Sequence, residues 1–218
     1  LWTPTGDELL ATAACHLAEG AKGLFFWTWL PIQIGPNAGA WGLRELDGAP
    51  TDRSRATARF GQMVKAHGEL LSRLRPEPAP IAILDLREAA AYLFRRSERQ
   101  PMWLWFAHDQ LGLYKALWRQ SIPCDFVDED AVLSGRIGCH PCLYVPFSMA
   151  MSDATGEALA RYVEDGGTLI VSALTAFASP GHVPYPVLPG AGLAEVLGVR
   201  AQAFEPVNEP EALRDARG

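Results

Sequence analysis

Cys139-His140-Pro141-Cys142 has the C-x-x-C spacing that suits zinc or thiol redox chemistry. A tetrahedral zinc site needs a second ligand pair at comparable spacing, and Cys15 and Cys124 do not provide one. Cys142 also opens a short apolar run, so it is read as an inert core thiol, and no metal or other cofactor is expected. A cysteine nucleophile would sit on a sharp strand-to-helix turn between glycines, beside a histidine base, and none of the four cysteines has that setting. His182, between Gly181 and Val183, has the chemistry of a loop base, but a lone loop histidine is read as exposed. Gly166-Gly167 precedes an apolar run and does not open a helix, the wrong order for cradling a phosphate.

Two further groupings concern carbohydrate. Asn208-Glu209-Pro210 pairs an amide with a carboxylate that can serve as a general acid when it ends a barrel strand, yet it lies in a polar tail with no strand before it. It is read as a solvated surface group. The tryptophans are distributed more tellingly, because all seven (Trp2, Trp27, Trp29, Trp41, Trp103, Trp105, Trp118) precede residue 119. Indole faces stack on the C–H faces of sugar rings, and Trp27 and Trp29 share one parity, so on a strand both point to one side.

The elements that would position these groups follow from pattern. Thr5 and Glu8 form a capping-box pair that starts a helix over about Gly6 to Glu19, and Gly20 is placed to end it. Gly23 to Trp29 reads as a buried strand because it is short, apolar and aromatic-rich. Residues 31–50 are rich in Gly and Pro and read as a long loop at that strand's end. Helical spacing of Ala56, Phe60, Met63, Val64, Leu70, Leu71 and Leu74 predicts one amphipathic helix over 52–74. Alternate prolines in Pro76-Glu77-Pro78-Ala79-Pro80 then stiffen the chain and mark a domain boundary.

Beyond that boundary, strands are expected at Ile81–Leu86, Cys124–Val127, Cys142–Val145 and Thr168–Val171. Helices are expected at Arg87–Arg95, Met102–Gln120, Asp153–Glu164 and Leu193–Leu197, with Ser152 as a cap and Gly166-Gly167 as a stop. Strands alternating with helices are the signature of an open α/β sheet with right-handed crossovers. Trp103, Trp105 and Trp118 fall on or beside one helix of this part, where core packing or a contact between copies is expected.

Composition limits the partners. The chain has 218 residues, 49% hydrophobic residues, 20% charged residues and a net charge of -6, which excludes a disordered chain and gives one to two domains. Without clustered cations, nucleic acid is not an expected partner. No apolar run approaches the roughly 20 residues of a membrane span, so no membrane association is expected. Four unevenly placed cysteines suggest a reducing compartment, the cytoplasm. The chain starts at Leu1, without Met, and enters a capped helix almost at once, which reads as a piece of a longer polypeptide.

Taken together, Gly20-Ala21-Lys22-Gly23-Leu24-Phe25-Phe26-Trp27-Thr28-Trp29, Trp41-Gly42-Leu43-Arg44-Glu45-Leu46-Asp47-Gly48 and Thr51-Asp52-Arg53-Ser54-Arg55 resemble the end of a catalytic barrel of glycoside hydrolase family 42, the family of bacterial β-galactosidases. The second half resembles that family's trimerisation domain, through Ile81-Ala82-Ile83-Leu84-Asp85, Asp125-Phe126-Val127, Leu143-Tyr144-Val145-Pro146 and Tyr162-Val163-Glu164-Asp165-Gly166-Gly167-Thr168-Leu169-Ile170. The resemblance implies an α/β chain: the C-terminal fragment of a (β/α)8 barrel (helix 7, strand 8, helix 8) over 1–75, a linker at 76–80, a flavodoxin-like, class I glutamine amidotransferase-like trimerisation domain over 81–200, and a tail over 201–218.

It also implies a retaining, β-galactosidase-like hydrolase acting on terminal β-galactosides or related glycosides, with two glutamates roughly 5–5.5 Å apart. Those glutamates would come from barrel strands 4 and 7, before residue 1, so no catalytic residue is assigned here and the fragment alone is expected to be inactive. Barrel active sites form at strand C-terminal ends and the loops that follow, which makes Trp29, Asn37 and Trp41 the candidates for sugar contact. Typical members place a Glu and, three residues later, a His in this loop, where the sequence has Asn37 and Ala40, a change that fits a subgroup acting on another glycoside. The implied partners are a carbohydrate substrate and two further copies in a homotrimer. The competing readings are a non-catalytic α/β interaction domain and a cysteine-dependent amidotransferase.

Overall fold

In the computed structural model the described residues are 3–36, 38–39, 42–95 and 103–204. Trp2, Asn37, Ala40, Trp41, Met102 and Asn208-Glu209-Pro210 lie outside them. The chain divides into two compact units, Leu1–Glu77 and Pro78–Gly218.

The first unit opens with helix α1 (Gly6–Ala18), started by the capping box: Glu8 N–H donates to Thr5 Oγ1, and the Glu8 carboxylate accepts from Thr5 N–H at 2.8 Å. Two free backbone donors are thereby satisfied at the helix start. Helices α2 (Asp52–Ala66) and α3 (Gly68–Arg73) follow. They are not the single helix that the spacing over 52–74 predicts. His67, at φ −115°, ψ 17°, ends one and starts the other, and Gly68, a poor helix former, follows it. Helices α1 and α2 meet closely at Gly6, whose N–H donates to Asp52 Oδ2 at 2.7 Å.

Gly23 to Trp29 is neither a strand nor buried. Phe25 is 101% exposed and Trp27 73%. A strand requires a ladder partner for its alternate N–H and C=O groups. The described residues of this unit offer only two such bonds, Leu43 N–H to Thr28 O at 2.8 Å and Arg44 N–H to Trp29 O at 3.0 Å. The period of the run was readable, but burial depends on neighbours that these residues do not have.

The second unit runs β1 (Ile81–Asp85), α4 (Arg87–Arg95), α5 (Trp103–Arg119), β2 (Cys124–Asp128), α6 (Glu129–Leu133), a 3-10 turn (Arg136–Cys139), β3 (Cys142–Val145), α7 (Asp153–Glu164), β4 (Thr168–Val171) and α8 (Leu193–Leu197). The four strands form one parallel sheet in the order β2-β1-β3-β4, with Ile81 level with both Cys124 and Cys142. Central strands β1 and β3 supply Ala82, Leu84, Leu143 and Val145 to the core, where Tyr92, Leu93, Phe106, Leu159 and Leu193 meet them. Helix α6 and the 3-10 turn were not expected from sequence. Asp128 caps α6, accepting from Ala131 N–H at 2.9 Å, but five residues carry too little periodicity to announce a helix.

Helix α7 starts at Ser152, whose Oγ accepts from Thr155 N–H at 3.1 Å, and stops before Gly166 at φ +98°. The adjacent Gly167 has a second reason to be glycine, because a Cβ there would lie 2.3 Å from the ring of Tyr162. These two glycines therefore close a helix and seat an aromatic ring. After β4, the chain from Ser172 to Gly192 contains no named strand or helix, and Leu174, Ala176, His182 and Ala191 hold positive φ. No helix among the described residues is long and apolar enough to cross a membrane.

Candidate functional site

In the first unit, the Trp29 indole is 59% exposed, and the Arg44 guanidinium carbon lies 4.9 Å from its ring centroid. That spacing is a cation–π contact. Arg44 is held from behind by Nη1 donating to Gly48 O at 2.8 Å, within a tight turn closed by Glu45 N–H to Ala49 O at 3.0 Å. Arg53 Nε reaches Gly42 O at 2.9 Å, and Thr51 Oγ1 donates to Leu43 O at 2.5 Å. The segment 42–51 is thus fastened to the N-terminus of α2. Gly42 packs so tightly on Pro31 that a Cβ would fall 2.3 Å from the ring Cδ. The result is an indole plate, oriented by a cation and backed by a rigid turn, that can stack on an apolar ring face.

Of the residues proposed for sugar contact, Trp29 is described and Asn37 and Trp41 lie outside the described residues. Trp27, of the same parity, is also exposed. Arg44 is the residue that sequence reading missed. A cation beside an aromatic is not detectable by spacing when the two are fifteen residues apart and joined only by the turn.

In the second unit, Asp109 on α5 gathers two donors at the C-terminal end of β3: Tyr144 Oη at 2.5 Å and Phe147 N–H at 2.7 Å. Burial, reinforced by the hydrogen bond and negative charge of Asp109, pushes the Tyr144 phenol well above its ordinary value. Nearby, Gln110 Nε2 donates to Leu84 O and Asp85 Oδ1, both at 3.3 Å. At the opposite end of the sheet, His140 is 5% exposed, with Nδ1 2.8 Å from Ala79 O, while its own carbonyl accepts from Tyr162 Oη at 2.8 Å. Asp125 Oδ2 accepts from Ala79 N–H at 2.9 Å, so the two side chains together hold the start of β1. These are structural networks: each of these polar groups is satisfied by a neighbouring backbone or side chain. Among the described residues these groups do not bring an acid, a base and a nucleophile together at one opening.

The cysteines fit that reading. Cys139 is exposed, with Sγ 3.1 Å from Arg136 O, and Cys142 is half-buried, with burial pushing its thiol up, the opposite of an activated nucleophile. Residues 147 and 148, which follow β3, are Phe and Ser, so no cysteine occupies the turn after that strand. His182 is half-buried against Tyr92, with ring centroids 4.8 Å apart. Among the described residues no group of three or more His, Cys, Asp or Glu side chains is placed to hold a metal ion.

Trp105 and Trp118 are exposed, at 46% and 69%, which excludes core packing for both. The buried side of α5 is instead Phe106 and Leu117, so of the two roles expected for these tryptophans, core packing or a contact between copies, the core role does not hold for Trp105 and Trp118.

A family model described as the beta-galactosidase trimerisation domain matches residues 88–215. Beta-galactosidase BglY of Alicyclobacillus acidocaldarius is 26% identical over 167 residues, covering 72% of this chain and 22% of the relative. The chain therefore spans about a fifth of that curated relative's length, 22%. Among solved structures, β-galactosidase from Bifidobacterium adolescentis aligns with TM-score 0.51 and 26% identity, over 60% of this chain and 59% of that one. β-Galactosidase from the psychrophilic Marinomonas ef1 aligns with TM-score 0.68 and 17% identity, over 89% of this chain and 29% of that one, a likeness of fold.

Proposed function

The chain belongs to the beta-galactosidase trimerisation domain family of glycoside hydrolase family 42, and from that premise we propose that it is the barrel end and assembly domain of a retaining β-galactosidase-like hydrolase. The match over residues 88–215 carries this reading. In the proposed division, 1–75 closes a (β/α)8 barrel, 76–80 is a linker, 81–200 is a flavodoxin-like trimerisation domain and 201–218 is a tail. The strand order β2-β1-β3-β4 supports the flavodoxin-like assignment, since that fold runs 2-1-3-4-5.

The whole protein would cleave terminal β-galactosides or related glycosides in the cytoplasm, as a homotrimer. Its acid–base and nucleophile glutamates would belong to the rest of the polypeptide, because a barrel takes about 250 residues. This chain would contribute one wall of the sugar pocket. Trp29, oriented by Arg44, would cover an apolar sugar face, and Asn37 and Trp41 are the further residues proposed for sugar contact. Stacking of this kind adds little to the chemical step and acts on ground state and transition state alike.

The test is a panel of aryl glycosides assayed with the full-length protein and with residues 1–218 alone. Hydrolysis by the first and none by the second is expected, and robust turnover by the fragment would refute the placement of the glutamates. In the full-length enzyme, Trp29→Ala should raise KM by about 2- to 12-fold, the worth of one aromatic stacking contact, with a smaller change in kcat.

A further inference from the structure

Helix α5 turns Phe106 and Leu117 inward, and on its shoulder Leu111, Tyr114 and Trp118 recur at i, i+3 and i+7 with 45%, 37% and 69% exposure. Ile122 and Phe126 extend the stripe at 39% and 49% exposure, with the Phe126 ring centroid 5.7 Å from that of Tyr114. Phe126 lies on β2, an edge strand of the sheet, so the stripe forms an exposed apolar, largely aromatic ridge along that edge. At the other edge, beyond β4, Val171, Leu174, Phe177, Leu188, Leu197 and Val199 line an apolar groove of about 220 Å³. Ile170, Val199 and Phe204 remain exposed in the same region, at 48%, 55% and 44%. Apolar surface of this extent marks a contact site, and Trp, Tyr and Phe are the side chains that dominate interface cores.

A cyclic trimer is built from head-to-tail contacts, so each copy must present two unlike surfaces that fit each other. A two-fold dimer needs only one. The C-terminal unit carries an exposed apolar ridge beside edge strand β2 and an apolar groove at the end of edge strand β4, two unlike surfaces that both lie inside the segment matched by the trimerisation family. The groove has room for roughly seven waters at about 30 Å³ each, the scale of one large aromatic side chain. Resting on the trimer reading above, we propose that the α5–β2 ridge of one copy, led by Trp118, seats in the β4 groove of the next copy. Exposed Lys115 and Arg119 beside Trp118 then form the polar rim of that contact.

The test uses the full-length protein and measures mass by light scattering on a sizing column. Trp118→Glu destroys the ridge and Val199→Glu the groove, and both positions are exposed enough that circular dichroism and thermal unfolding should match the parent. Tyr114→Glu serves as a second ridge variant. The parent should be a trimer, and each variant alone a monomer, with association weakened about 30-fold or more, the effect of losing one hot-spot residue. Mixing Trp118→Glu with Val199→Glu should give a complex of two copies and nothing larger, because only one intact ridge and one intact groove remain. Variants that stay trimeric, or monomeric variants that fail to pair on mixing, would overturn the ridge-in-groove assignment while the trimer reading stands. A monomeric parent would overturn the trimer reading itself, and this inference with it.

Discussion

Gly156 lies inside α7, where replacing glycine by alanine on helix propensity alone should stabilise by about 0.8–1.0 kcal/mol. The structure reverses that sign. A Cβ at Gly156 would lie 1.9 Å from the Ala191 carbonyl oxygen and 2.7 Å from Ala191 Cβ. Ordinary contact begins near 3.4 Å, so the 190–192 segment would have to retreat by about 1.5 Å. That segment has little freedom to retreat, because Ala191 is 7% exposed, holds φ 53° and leads through Gly192 into α8. Overpacking costs about 1–3 kcal/mol, and a backbone obstacle places this case at the upper end. Gly156→Ala should therefore destabilise by about 2 kcal/mol net of the helix gain. Gly112, in the middle of α5, is the control, since nothing lies within 4 Å of its Cβ position. Gly112→Ala should stabilise by about 0.8–1.0 kcal/mol. Urea denaturation followed by far-ultraviolet circular dichroism reads both as shifts in midpoint at constant slope. If both substitutions move the midpoint in the same direction, the close approach of α7 to Ala191 is wrong.

Thr51 caps α2 through Ser54 N–H at 3.1 Å and also donates to Leu43 O; Thr51→Ala should cost about 1–2 kcal/mol in urea denaturation, and Thr51→Ser should restore most of it. The Gly6 N–H bonded to the Asp52 carboxylate holds its pKa below the ordinary value of 3.8. Its contribution is present above the unfolded pKa and is lost as pH falls through the lower folded pKa, so the gap between the parent and Asp52→Asn should close in acid titrations below about pH 4. At the other extreme, burial pushes the Tyr162 and Tyr185 phenols up to about 12, and Tyr144 higher still. Their stabilisation is complete below the unfolded value of about 10 and declines as pH rises toward the folded values, so tyrosinate absorbance should grow together with loss of circular dichroism above about pH 11, and Tyr144→Phe should delay that transition.

The second unit was legible in the sequence because its elements announce themselves locally. Ser152 followed by the apolar positions of α7, and four short apolar runs separated by helical patterns, leave little choice but an alternating α/β sheet, and Cys142–Val145, Thr168–Val171 and Asp153–Glu164 stand where their patterns put them. What pattern could not supply was the partner of each surface. Asp109, Tyr144 and Phe147 come together only because α5 crosses the C-terminal end of β3, a tertiary fact with no local signature. The stripe Leu111, Tyr114, Trp118 was available from helical spacing, but an apolar stripe looks the same whether it faces the core or solvent, and α5 has apolar residues on both sides.

The same ambiguity explains Gly23 to Trp29, and there it becomes an argument about function. Phe25, Trp27 and Trp29 compose a run with strand character, yet all three are exposed. Leaving Phe25 fully in water forgoes about 1.5–3 kcal/mol, and the partly exposed Trp27 and Trp29 forgo a share of that, a cost that a stable isolated unit has no reason to carry. Strand 8 of a closed barrel would have paired neighbours on both sides, with residues of one parity facing the barrel interior and the other facing the helices. Under that reading, Phe25, Trp27 and Trp29 share the parity of one wall, and Trp29, nearest the C-terminal end, is the member of the set that reaches the rim where substrate binds. The exposure of these side chains and the assignment of Trp29 to a sugar-facing wall thus stand or fall together. In the full-length protein, acrylamide quenching should reach Trp27 far less than in residues 1–218 alone, measured on otherwise matched single-tryptophan variants. Equal quenching in both would remove the barrel neighbours and the case for Trp29 with them.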